Sequence, residues 1–169
     1  AFLMMSKLIS KNFYISLLVS VFIFTLDRIS KIYVINLSKN SFDIELFSSK
    51  FLNITLIWNE GIAFGLFSAS HEIWYNFLTI IIVFTALIIL IMSIKQHGVQ
   101  RYFLLIVFGG ALGNLYDRIF FKAVPDFIDL HVGNFHWFIF NVADIFITFG
   151  VIMLILWEIL PLNRNYEKK

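Results

Sequence analysis

The chain of 169 residues has no cysteine, which excludes disulfides, thiolate nucleophiles and cysteine-ligated zinc. Charge is scarce: Asp, Glu, Lys and Arg make up 14% of the residues against 60% hydrophobic, and the mean hydropathy is +0.86. So few polar side chains cannot cover the surface of a soluble domain, so lipid must cover part of it. A formal net charge of +2 is too small and too scattered to argue for a nucleic-acid partner. No serine sits in a glycine-rich nucleophile elbow, no HExxH pair or EF-hand loop occurs, and there is no internal repeat or low-complexity tract.

What the chain does have is four apolar runs, at about 13–35, 73–94, 102–120 and 139–160. At about 1.5 Å of rise per residue, each approaches the thickness of a bilayer core, and an α-helical bundle satisfies backbone groups there. The first run begins like a signal peptide after Lys7 and Lys11, but it is too long, lacks a small-residue cleavage site and carries Asp27, Arg28 and Lys31 near its far end. It reads as a retained first span. With four crossings, Lys7, Lys11, Lys95, Arg101, Arg164, Lys168 and Lys169 all fall on one side, so both termini are expected in the cytoplasm.

Two outer segments remain. Within residues 36–72, FLNITLIW (Phe51 to Trp58) is β-branched and aromatic and reads as a strand, followed by the turn residues Asn59, Gly61 and Gly65. A small sheet or hairpin over the membrane surface is expected there. The second segment, 121–138, reads as a loop, and Pro125 argues that the third helix has ended before Asp126.

Helical rise brings the polar residues of different spans to one depth. Counting from the inner ends, Asp27 lies about 22 Å up span one, and Asn114 and Asp117 about 20 and 24 Å up span three. Asp144 lies just below the outer start of span four, with Asp126 in the loop above it. A charge at the centre of a membrane helix costs about 2.5–3.5 kcal/mol, so this convergence marks either assembly contacts or a functional cluster. Asp27 and Lys31, like Asn114 and Arg118, are four apart on one helical face, and such pairs account for some of the polarity. Asp126 and Asp144 are the chemically interesting pair: two neighbouring carboxylates that share a proton can activate a water and hydrogen-bond to a peptide carbonyl without a covalent intermediate. Rival uses are a metal held by Asp126, Asp129, His131, His136 and Asp144, an ion or proton relay through Asp27, Asp117 and Asp144, and a scaffold whose polar residues only pair helices. His71, His97 and the tryptophans read as residues of the lipid–water interface.

In their order and spacing, DRISK (Asp27 to Lys31), WNEGIAFGLF (Trp58 to Phe67), GGALGNLYDR (Gly109 to Arg118), VPDFID (Val124 to Asp129) and FNVAD (Phe140 to Asp144) resemble the lipoprotein signal peptidases, or signal peptidase II, of bacterial inner membranes. The resemblance covers most of the chain from residue 27 to about 150. It implies an all-α membrane bundle of four transmembrane helices, a single membrane domain over 1–169, with a small extracytoplasmic β-cradle and surface helix between spans one and two, at about 36–72. It implies an aspartyl endopeptidase with Asp126 and Asp144 as the catalytic pair, acting at the extracytoplasmic interface on a diacylglyceryl-modified prolipoprotein immediately before its lipidated cysteine. Asn59, Gly61, Asn114, Arg118 and Asn141 match supporting or substrate-binding positions, and Asp27, Lys31, Asp117 and Asp129 match structural polar ones. No cofactor, metal, nucleic acid or obligate protein partner is expected. The departures are Trp58 and Glu60 on either side of Asn59, and Pro125 before Asp126, which is expected to stiffen its loop. Arg118 is expected to restrain Asp117 or a substrate carbonyl. Gly109, Gly110 and Gly113 suit close helix packing or an access route for substrate.

Overall fold

The computed structural model describes residues 11–40, 45–61 and 71–160. In chain order the elements are α1 (Lys11–Asn40), β1 (Glu45–Ser48), β2 (Leu52–Asn59), α2 (His71–Lys95), α3 (Gly98–Phe121), β3 (Val124–Val132), β4 (Phe135–Phe140) and α4 (Val142–Ile159). All four helices are long and apolar enough to cross a bilayer.

Burial along α1 follows the helical repeat. Phe13, Ser16, Ser20, Ile23, Asp27, Lys31 and Val34 are buried at intervals of three or four, while Tyr14, Leu18, Phe22, Ile29 and Tyr33 are exposed on the other faces. The outward faces are thus almost wholly apolar, while the buried face mixes apolar residues with every buried polar or charged one of the helix. This distribution suits a lipid surround, because apolar groups gain nothing from leaving lipid.

Helix α3 is the hub and packs against α1, α2 and α4. Its glycines make the close approach possible. A Cβ on Gly109 would lie 2.8 Å from the Ser20 carbonyl oxygen of α1, and one on Gly110 would lie 2.7 Å from the Ala143 carbonyl oxygen of α4. Of the two uses expected for these residues, the structure therefore assigns helix packing. Around them Ala86, Leu105 and Phe108 form the apolar core, and Ser20 Oγ donates to the Leu105 carbonyl at 2.7 Å. At the opposite end from the sheet, Arg101 Nε donates to the Ser93 and Gln96 carbonyls and closes the C-terminus of α2.

The β element differs from the expectation in its origin. It is a four-stranded antiparallel sheet in the order β1-β2-β3-β4, and only β1 and β2 come from between the first two helices. The segment 121–138, read as a loop, supplies β3 and most of β4. Their two-residue turn places Gly133 at φ +59°, the positive angle that the first position of a type II′ hairpin turn requires. Pro125 is a strand residue, paired with Trp58 of β2. It is tolerated because β4 pairs with β3 only from Ile128 onward, leaving Pro125 without a neighbour on its other side. The expected end of the third helix before Asp126 agrees with α3 stopping at Phe121, where Lys122 turns the chain at φ +59°. Residues 139 and 140, assigned above to the fourth span, belong to β4, and α4 begins at Val142. The surface helix expected between spans one and two falls outside the described residues, as do Lys7, Arg164, Lys168 and Lys169 of the orientation argument.

Candidate active site

The site forms where the sheet meets the C-terminal parts of α1 and α3 and the N-terminus of α4. Asn141 is the N-cap of α4: its Oδ1 accepts from the Asp144 backbone N–H at 3.2 Å, while Asp144 Oδ2 accepts from the Asn141 N–H at 3.1 Å. This reciprocal capping box satisfies two N–H groups that a helix start would otherwise orphan. Its spacing, Asn-x-x-Asp, is legible in FNVAD, and it is the signal that would have placed the start of the helix after Asn141.

The same Asn141, fully buried, donates through Nδ2 to Asp126 Oδ1 at 2.6 Å. One residue thereby touches both candidate catalytic carboxylates. Asp126 Oδ2 accepts from Asn59 Nδ2 at 2.8 Å, and Asn59 is held in turn by the Gly61 N–H on its Oδ1 at 2.7 Å. Asp144 Oδ1 accepts from Asn114 Nδ2 at 2.8 Å. The two carboxylates are thus cradled by three asparagines from β2, α3 and the β4–α4 junction. Burial pushes the Asp126 carboxyl above the ordinary range; the amide bonds from Asn59 and Asn141 oppose this, and the charge of Asp144 adds to it.

Beneath this pair lies an ionic cluster. Asp27 and Asp117 are fully buried, and Lys31 nearly so. Lys31 Nζ lies 3.0 Å from Asp27 Oδ1 and 2.7 Å from Asp117 Oδ2, so the expected pairing of Asp27 with Lys31 is present. Arg28 reaches both oxygens of Asp117, at 2.6 and 2.7 Å, and Asp27 Oδ2 at 2.7 Å. Two acids and two cations balance, which makes the cluster tolerable inside a bundle. Sequence alone gives Arg28 no role, and the signal for one is the count of charges at this level, where two acids need two cations. Asp27 Oδ1 also accepts from the Ala143 N–H at 3.1 Å, so α1 helps cap α4.

Arg118 does not restrain Asp117. Successive residues on a helix point about 100° apart. Asp117 faces α1, while the Arg118 guanidinium lies over the Tyr75 ring of α2, 5.7 Å from its centroid. Tyr75, also missed from sequence, donates its hydroxyl to the Arg118 carbonyl at 2.9 Å. The Arg118 side chain is buried, and its Nε and Nη1 have no hydrogen-bond partner among the described residues. Gly61, at φ +76°, lies against it: a Cβ there would come within 2.9 Å of Arg118 Nη1. Nor do Asn114 and Arg118 pair, because Asn114 Oδ1 accepts from Lys31 Nζ at 2.9 Å.

Asp129 stands apart, on the outer part of the sheet. It pairs with His136 Nδ1 at 2.8 Å, and the His136 ring stacks on that of His131, with centroids 5.0 Å apart. Among the described residues no group of three or more His, Asp or Glu is placed to hold a metal. From the Asp144 side, an open apolar groove of about 620 Å³ runs along α4 between Trp137, Phe138, Phe140, Ile145, Phe149 and Ile152.

The family model described as "Signal peptidase (SPase) II" matches residues 19–160. The lipoprotein signal peptidase of Pelagibacter ubique (strain HTCC1062) is 48% identical over 98% of this chain and 99% of its own length. That of Anaplasma phagocytophilum (strain HZ) is 45% identical over 81% and 86%. Two bacterial membrane enzyme structures solved by the in meso method, at 2.3 and 1.9 Å resolution, superpose with TM-scores of 0.69 and 0.71 at 32% and 31% identity, covering 91% and 86% of this chain and 91% and 93% of theirs. With its motifs, its bundle and the match over nearly all of its length, the chain belongs to the signal peptidase II family.

Proposed function

We propose that Asp126 and Asp144 are the catalytic pair of this membrane aspartic endopeptidase, which removes the signal peptide of diacylglyceryl-modified prolipoproteins immediately before the lipidated cysteine. The observation that carries the assignment is Asn141, which holds a carboxylate oxygen of each aspartate through its own side chain and backbone. In the reaction a water between the two carboxyls loses a proton to the ionised one as its oxygen bonds to the scissile carbonyl carbon. The protonated one donates to the carbonyl oxygen. Collapse of the resulting gem-diol breaks the C–N bond, returns a proton to the departing amine, and leaves a carboxyl on the signal peptide. The raised Asp126 suits the proton-holding role at the start of the cycle.

Asn59 and Asn141 orient Asp126, and Asn114 orients Asp144. The Arg118 donors that have no partner among the described residues, with Gly61 beside them, suit a substrate carbonyl. Both termini are cytoplasmic in this reading, and the sheet and the site lie at the extracytoplasmic interface. There the acyl chains and signal helix stay in lipid while the peptide bond meets water.

The test is mass-spectrometric mapping of the cut in matched diacylated and unmodified peptides. Wild type should cut only the diacylated peptide, before the modified cysteine. Asp126→Asn and Asp144→Asn should each lose about 10²- to 10⁴-fold in kcat while keeping a wild-type melting profile. Normal turnover by both variants, or equal turnover of the two peptides, would contradict the assignment.

A further inference from the structure

Lys31 Nζ is ion-paired with Asp27 at 3.0 Å and donates hydrogen bonds to Asp117 and to Asn114. The first two contacts belong to the ionic cluster that joins α1 to α3. The third leads elsewhere, because the other arm of Asn114 ends on Asp144. An ammonium can only donate. Facing it, Asn114 must present its carbonyl oxygen, which leaves the NH₂ group to point at the Asp144 carboxylate. Without that donor, a 180° turn of the amide would set oxygen against oxygen. The same logic orients the other two asparagines: the Gly61 N–H fixes Asn59, and the Asp144 N–H fixes Asn141. In those cases the orienting group is local backbone, but for Asn114 it is a side chain from another helix, buried to 1% exposure. Helix pairing alone gives a weak reason to bury a lysine, since such ion pairs are often replaceable by apolar groups without loss of stability.

We propose that Lys31 is a positioning residue for the hydrolysis: acting through Asn114, it fixes the amide that holds Asp144 Oδ1 in place for activating water. The inference rests on the reading of Asp126 and Asp144 as the catalytic pair. It separates Lys31 from Asp27, whose remaining contacts are with Arg28 and the start of α4.

The experiment uses the full chain in detergent with a diacylated peptide. The double variant Lys31→Met/Asp117→Asn removes one charge of each sign and leaves Arg28 on Asp27. It is expected to lower kcat per folded enzyme by about 10- to 100-fold, the scale of a catalytic group displaced by about 1 Å, with KM unchanged within about twofold. Asn114→Leu, which leaves the ionic cluster intact, should show the same split. Because Lys31 acts through Asn114, adding Lys31→Met/Asp117→Asn to Asn114→Leu should cost nothing further in kcat. A purely structural Lys31 would change the folded fraction and not kcat per folded enzyme. Wild-type kcat in either variant, or losses that multiply when combined, overturns the proposal. If the double variant does not fold, Lys31→Met/Asp27→Asn, which leaves Arg28 on Asp117, takes its place: wild-type kcat overturns the proposal, and a depressed kcat at unchanged KM sustains it. Asp144→Asn run in parallel separates the two levels, since activity there sinks the catalytic pair itself, whereas its loss beside a fully active Asn114→Leu sinks only the role of Lys31.

Discussion

At the scale of single residues, the site is a set of asparagines whose ambiguity has been removed. An asparagine amide donates from one end and accepts at the other, and each of the three has its oxygen engaged by an obligatory donor, so all the NH₂ groups converge on carboxylates. This has a consequence for pH dependence. The bond from Asn59 favours the ionised form of Asp126 and so opposes the upward push of burial. Removing it raises the Asp126 pKa further. With Asp126 protonated in the active form, the alkaline limb of a kcat/KM profile moves to higher pH in Asn59→Ala, alongside a lower maximum. A profile that shifts to lower pH, or does not move, would count against that protonation state. Asp126, Asp144 and the three asparagines were all legible from motifs. Their pairing was not, because it depends on which end of each amide meets which oxygen across separate elements.

At the scale of elements, the close contacts of α3 decide whether the two halves of the site meet. Gly110 sits against the first turn of α4, where a Cβ would lie 2.7 Å from the Ala143 carbonyl oxygen and 2.8 Å from Ile147 Cγ1. Gly110→Ala is expected to destabilise the bundle by about 1–3 kcal/mol, visible as a lower melting temperature in detergent, with reduced activity because Asn114 and Asp144 face each other across that same contact. An unchanged melting temperature would mean that α4 can move away freely. The β3–β4 hairpin is the other decisive element. It carries Asp126 near its start and delivers Asn141 just past its end, so the register of His131 with His136 and of Ile128 with Phe140 sets the two aspartates relative to each other. That hairpin was hidden in the sequence because Pro125, Gly133 and Asn134 are loop formers. Only the short pairing range of β4 and the positive φ at Gly133 reconcile them with strands.

At the scale of the whole molecule, the sheet and the α2–α3 link lie at opposite ends of the bundle, and the absence of cysteine makes their sides directly measurable. Val132 in the hairpin and Gln96 in the link are both exposed. In intact cells without an outer membrane, a membrane-impermeant maleimide should label Val132→Cys, and should label Gln96→Cys only after the membrane is opened. The reverse pattern would invert the proposed topology. The groove along α4 runs from Asp144 among apolar side chains, away from the sheet.

Hydropathy and spacing sufficed for the four helices and for the depth at which polar groups gather, because the rise of a helix converts residue count directly into distance. Motif order sufficed for the family, and it singled out the two aspartates whose side chains both bond to Asn141. Tertiary structure alone decided three things: that the sheet draws half its strands from the segment after α3, that Arg28 rather than Arg118 pairs with Asp117, and that Lys31 reaches Asp144 through Asn114. Each is a contact between segments far apart in the chain. Local periodicity fixes the face of a helix on which a side chain lies, but only packing determines what that face meets.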